Sequence, residues 1–170
     1  MTLVGIGVLL DDASVHQLIE FRNRWLDVIE GPELDGETNI PHLALYELPV
    51  TDAKEIDFPM NVPVGTTYWT KLQHRGERML GLTTTEQWMR LARDEAIRAL
   101  RPHGEQSHDH TRHINFIPHV TIGIVRDTSV DRYSVMVEEF HKDFSGEAIV
   151  LEEVVLYETD DSGSLLEILV

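Results

Sequence analysis

Ile40-Pro41-His42-Leu43-Ala44-Leu45 recurs 77 residues later as Ile117-Pro118-His119-Val120-Thr121-Ile122. Ile, Pro and His are identical, two further pairs are aliphatic in both copies, and one position sets Ala44 against Thr121. Each copy follows a polar turn region and reads as a strand opened by its proline. Side chains alternate along a strand, so His42 shares a face with Ala44, and His119 with Thr121. Leu43 and Val120 then point into the opposite layer. Two such strands meeting about a pseudo-twofold axis would set the two imidazoles across a cleft from one another.

Working outward, the remaining pattern is α+β. Thr2–Leu10 reads as a buried strand, and Asp11 or Asp12 caps a helix carrying Val15, Leu18, Ile19, Arg22, Trp25, Leu26 and Ile29, ended by Gly31-Pro32. A strand over 40–48 closes at Pro49, and a proline-bearing loop covers 51–63. The alternation over 64–72, a turn at 73–76 and a return over 77–82 predict a hairpin. Thr83–Thr85 with Glu86 resembles a capping box ahead of a helix that runs to Leu100, before Pro102. A polar loop follows to Asn115. A strand over 116–125, a helix over 131–142, and strands over 148–157 and 164–169 complete the chain. No low-complexity linker divides the 170 residues, so one domain spans 1–170.

Composition bounds the function. Lys and Arg number 14 against 30 Asp and Glu, a formal charge of −16. A long grip on a nucleic-acid backbone needs many cationic contacts, so the charge argues against that class, whereas it does not forbid a small phosphate ligand in a locally basic pocket. The charge itself reads as a solubility feature. No apolar run approaches the roughly 20 residues that span a bilayer. Met1–Leu10 lacks the basic start of a signal peptide and reads as a strand. The absence of cysteine removes disulfides and thiolate metal sites and suits a cytoplasmic location.

An opposed histidine pair fits phosphodiester chemistry: a neutral imidazole takes a proton from the nucleophile while an imidazolium gives one to the leaving oxygen. Thr121 offers a hydroxyl to a non-bridging phosphate oxygen. On these motifs the chain resembles the 2H phosphoesterase superfamily, the LigT-like or 2′-5′ RNA ligase-like proteins, whose signature is two His-x-Thr/Ser motifs. Pro118-His119-Val120-Thr121-Ile122 matches the second motif in full; His42-Leu43-Ala44-Leu45 matches the first with Ala44 in place of Thr or Ser. The order of strands and helices matches over nearly the whole chain. The resemblance implies a bilobal fold of two pseudo-symmetric antiparallel-sheet lobes, helices outside and a cleft between them. It implies a hydrolase that opens, or reversibly ligates, a 2′,3′-cyclic or 2′-5′ phosphodiester in a nucleotide, cyclic nucleotide or small RNA, without metal or other cofactor. His42 and His119 would be the acid–base pair and Thr121 a phosphate ligand. Ala44 leaves open a nucleotide-binding module with weak catalysis.

Further candidates surround this pair. Tyr46, in phase with His42 and Ala44, is expected to line the cleft, as is Tyr157. Tyr68 and Trp69 lie on opposite faces of the expected hairpin, so one of them could stack on a base. Arg126 stands near the place where many relatives carry a basic residue. His103, His108, His110 and His113 crowd a polar loop that reads as solvated, with a metal site or a flap over the cleft as alternatives. Trp25 and Trp88 belong to the core, while His16, His74 and His141 are surface residues. The expected partner is a nucleotide or small oligonucleotide, bound by a monomer away from membranes.

Overall fold

The computed structural model describes residues 2–31, 34, 39–58, 66–68, 71–75, 79–83, 87–104, 118–126, 128–144, 147–159 and 165–169, and the structural statements here concern these. Chain order is β1 (Thr2–Leu10), α1 (Asp12–Arg24), β2 (Ile29–Glu30), β3 (His42–Val50), β4 (Thr66–Tyr68), β5 (Lys71–Arg75), β6 (Met79–Thr83), α2 (Gln87–Leu100), β7 (His119–Val125), α3 (Val130–Phe144), β8 (Ala148–Thr159) and β9 (Leu165–Ile168). The nine strands hydrogen-bond in the order β4-β8-β1-β3-β7-β6-β5, with β2 on β7 and β9 on β8. Each pairing is antiparallel, which bears out the α+β reading.

Apolar alternation builds the core. Val4, Ile6 and Val8 of β1 are fully buried. They join Leu43, Leu45, Val120 and Ile122 in one cluster with the apolar stripes of the helices. Those stripes include Phe21 of α1, Met89, Ala92 and Ala96 of α2, and Met136, Phe140 and Phe144 of α3. Phe21 meets Phe140 and Phe144 edge-on, each with ring centroids 5.5 Å apart, while Phe140 and Phe144 stack at 4.6 Å. Asp11 caps α1, its Oδ1 accepting from the Ser14 amide at 3.0 Å.

Three expectations change. The first helix stops at Arg24 and does not reach Ile29: the Trp25 amide closes on the Arg22 carbonyl at 2.9 Å, a turn follows, and Ile29–Glu30 pairs with Ile124–Val125. Ile29 keeps its apolar role, fully buried, but as a strand residue of the sheet. Pro49 continues β3, opposite Leu3, where it was expected to close the strand. The stretch 64–72 is not one arm of a hairpin. Thr66–Tyr68 pairs with Ala148–Val150, whereas Lys71–Arg75 pairs with Met79–Thr83, so only the second part forms the hairpin.

That split has a geometric consequence. Tyr68 and Lys71 are three peptide units apart, no more than about 11 Å. Seven strands laid flat would separate the outer two by about 29 Å. The sheet therefore curls strongly enough to bring β4 and β5 back toward each other. Among the described residues no helix is long and apolar enough to cross a membrane.

Truncating Phe140→Ala removes a ring that takes part in two of these three aromatic contacts and is expected to cost about 3–5 kcal/mol of folding stability. Urea unfolding followed by circular dichroism measures it; a loss below about 1 kcal/mol would show that α1 and α3 do not depend on this cluster.

Candidate active site

Strands β3 and β7 touch through one bridge, Leu43 opposite Val120. Both residues are 1% exposed and face the core. Extending the antiparallel register by one residue each way sets His42 beside Thr121 and Ala44 beside His119. All four lie on the face opposite the helices; the alternation of buried and accessible residues along both strands agrees. The structure thus brings together the four motif residues singled out by sequence. His42 and His119 are diagonal neighbours, a relation that puts their Cβ atoms on the order of 7–8 Å apart.

Neighbouring strands extend two rows across this face. His42 stands opposite Leu9, itself opposite Glu153. Ala44 stands opposite Gly7 and then Val155, while His119 stands opposite Thr83 and then Lys71. Each motif strand then bulges at the same place. Pairing jumps from Gly7–Ala44 to Ile6–Tyr46, leaving Leu45 as the extra residue, and from Gly81–Thr121 to Leu80–Gly123, leaving Ile122. Each extra residue is the third after its histidine.

The β3 bulge corrects the expectation for Tyr46. One added residue reverses the face of everything beyond it. Tyr46 therefore joins Leu48 and Val50 in the core, 4% exposed, and does not line the cleft. Glu47 takes its place on the site face. The sequence carries no local mark of that bulge, so strict alternation hides Glu47.

Tyr157 does reach the site. It is fully buried, its hydroxyl donates to Glu47 Oε1 at 2.9 Å, and its ring meets the His42 ring edge-on, centroids 4.8 Å apart at 64°. Gly5 lies between Tyr157 and Glu47 in the register, and its missing side chain makes the crossing possible. A Cβ on Gly5 would fall 2.4 Å from the tyrosine Cζ, and one on Gly7 2.9 Å from its Cε1. Gly5-Ile6-Gly7 was the available sequence signal: glycines alternating with core residues leave a bare strip on the other face.

His42 is held at Nδ1, 2.9 Å from the Ile40 carbonyl oxygen. A carbonyl only accepts, so Nδ1 carries the proton and Nε2 is the basic atom of the neutral ring. Burial pushes the imidazole below its usual value of 6.5, outweighing the upward pull of the Ile40 bond and of the Glu47 carboxylate. Burial and the same carboxylate, which accepts the hydrogen bond of the hydroxyl, drive the Tyr157 phenol well above its usual range. At neutral pH the site therefore holds a neutral His42 and a protonated Tyr157.

Other candidates fall elsewhere. Arg126 lies at the far end of β7, seven residues or roughly 20 Å from His119, and faces Glu30, with Nε 3.5 Å from Oε2; it is not part of this cluster. Tyr68 stands opposite Ala148 in β4, off the hairpin where it was expected. Trp69 lies outside the described residues, as do His108, His110 and His113 and hence the flap reading. His103 ends a short helical turn, and Gly104 bridges to Val50. Trp25 is buried as expected; Trp88 packs partly buried against the core. Among the described residues no group of three or more His, Cys, Asp or Glu side chains converges as a metal site would.

No protein-family model matches the chain, and a search of curated proteins finds no match.

A histidine whose imidazole is less basic folded than unfolded binds fewer protons in the folded state. Its effect is loss of stability as pH falls from about 6.5 toward the folded value. Urea unfolding at pH 7.5 and 5.5, pH values set about one unit either side of the usual histidine midpoint, should show a larger loss for the native chain than for His42→Gln. Equal losses would mean that His42 protonates as freely folded as unfolded.

Proposed function

We propose that the chain is a phosphodiesterase of the 2H type, opening a 2′,3′-cyclic or 2′-5′ phosphodiester in a nucleotide or small oligonucleotide through His42 and His119. The observation that carries this reading is the Leu43–Val120 bridge, which sets the two histidine motifs in antiparallel register on one face of the sheet. The matching bulges at Leu45 and Ile122 support a pseudo-twofold, bilobal arrangement. So do Gly7 and Gly81, each opposite the second residue after a histidine, on strands that lead into α1 and α2.

The chemistry follows from the states of the groups. Neutral His42 takes a proton at Nε2 from water as the water oxygen bonds to phosphorus. The bond from phosphorus to the ribose oxygen breaks, and His119 as imidazolium gives that oxygen its proton. Histidine as a residue type ordinarily changes charge near neutrality, which is what this division of labour asks of the pair. Thr121, cross-strand from His42, hydrogen-bonds a non-bridging oxygen and favours the charge that builds there. Ala44 offers no such donor beside His119, so the phosphate is gripped from the Thr121 side. If that grip outlasts turnover, the protein acts as a nucleotide-binding module; calorimetric binding without product over a substrate panel is the result that would favour this second reading.

With EDTA present, the protein should open a nucleoside 2′,3′-cyclic phosphate or cleave a 2′-5′-linked dinucleotide. His42→Ala and His119→Ala should each lower kcat by at least about 10²-fold. Thr121→Val should lower it on the order of 10²-fold. Full activity in either histidine variant, with its fold confirmed by circular dichroism, would end the mechanism.

A further inference from the structure

Resting on that reading, we propose that Tyr157 and Glu47 are positioning residues for His42: Glu47 anchors the Tyr157 hydroxyl, and the anchored ring holds the imidazole in the orientation that its bond to Ile40 requires. His42 is fixed from three sides. Nδ1 is tied to the Ile40 carbonyl at 2.9 Å, the ring abuts Tyr157 at 4.8 Å, and Cδ2 hangs over Gly7, 3.6 Å from where a Cβ would lie.

Packing alone does not explain a tyrosine here. Its ring fills the bare strip over Gly5 and Gly7, a task phenylalanine would perform. A buried hydroxyl costs stability unless bonded, and the bond found is to a carboxylate that the β3 bulge turns onto this face. A carboxylate is otherwise out of place beside a phosphate, since it repels the substrate's charge. Its use lies in the pair: it fixes the tyrosine, and its charge draws the buried imidazole back toward protonation. The groups that bear on His42 are Glu47 on its own strand, Tyr157 and Glu153 from β8, and His119 with Thr121 from β7. The β1 neighbours, Gly7 and Leu9, carry no charge.

The test uses histidine-labelled full-length protein, with the His42 ring titrated by NMR beside kinetics on a nucleoside 2′,3′-cyclic phosphate. Glu47→Gln keeps an oxygen that accepts from Tyr157 and removes only the charge. Its His42 midpoint should fall further, and the acid limb of the kcat profile should move to lower pH with it, KM unchanged. Tyr157→Phe keeps the ring and removes the anchor. Its His42 should lose the single Nδ1–H tautomer signal, and kcat should fall about tenfold with KM unchanged, part of what general-base catalysis supplies. An unmoved His42 titration and tautomer in both variants, or an effect confined to KM, would overturn the proposal. The NMR readout needs no turnover. Absent activity in the native protein therefore counts against the phosphoesterase reading, and an unmoved His42 in an active enzyme counts against this one.

Discussion

A single antiparallel bridge, Leu43 to Val120, joins the strands β4-β8-β1-β3 to the strands β7-β6-β5. Each side chain at this seam is fully withdrawn from water, and burial of that kind contributes about 1.5–3 kcal/mol per aliphatic residue. The pairing does not extend because β3 begins at His42 and β7 at His119, so in antiparallel register the two strands overlap only over His42–Ala44 and His119–Thr121. Two strands that touch at one point and then diverge present their outward residues around a shallow crossing. The motif residues occupy that crossing because they flank the bridge on both strands. Helix α2, which lies between β6 and β7 in the chain, packs against β3. One helix thus lies within the second set of strands in sequence while covering the first, so the seam is clamped from the core side.

The seam also sets the electrostatics. His42 sits where the sheet is dry enough for burial to lower its basicity, yet the one described carboxylate bonded next to it works the other way. Neither influence is accidental to the fold. Burial follows from Tyr157 lying over two glycines of β1, and the carboxylate follows from the bulge that turns Glu47 outward. A change in any of Gly5, Gly7, Leu45 or Tyr157 would therefore reach the imidazole through packing, although none of them carries a charge.

How much of this was legible follows from what alternation encodes. Period-two patterning placed Leu43 and Val120 inward and His42, Ala44, His119 and Thr121 outward, as found. It also placed Tyr46 outward, because a bulge adds a residue without changing the polarity pattern: Leu45 and Tyr46 are both compatible with the core. The same blind spot concealed Glu47. The stretch 64–72 misled for a different reason. Alternation identifies extended backbone but not its partner, and here the partner changes between Tyr68 and Lys71. At Ile29 helical spacing and a two-residue strand both bury the same side chain, so periodicity could not separate them. Arg126 was a matter of reach: sequence proximity to the second motif became strand length, with Glu30 at its end.

The charge distribution explains why a histidine pair suits this chain. Five arginines are engaged away from the seam: Arg22 donates to the Gly31 carbonyl, and Arg24, Arg98, Arg126 and Arg132 face Asp143, Glu95, Glu30 and Asp27. Arg132 also lies over the Trp25 ring, 4.2 Å from its centroid, so its role is to hold α3 against the turn after α1. With a formal charge of −16, the overall field repels an anion approaching from a distance. A phosphate bound at the proposed site would owe little to long-range attraction and much to contacts made on arrival. In the proposed mechanism an imidazolium at His119 would serve twice, as the proton donor and as a local positive charge. Lys71 stands two strands further along the same register. On the proposed reading such a site would favour small substrates with few phosphates, because each added phosphate brings further repulsion from the acidic surround. On that reading, selectivity against longer nucleic acids would lie in the charge of the whole fold, and the choice of reacting bond in the two rows of side chains that flank Leu43 and Val120.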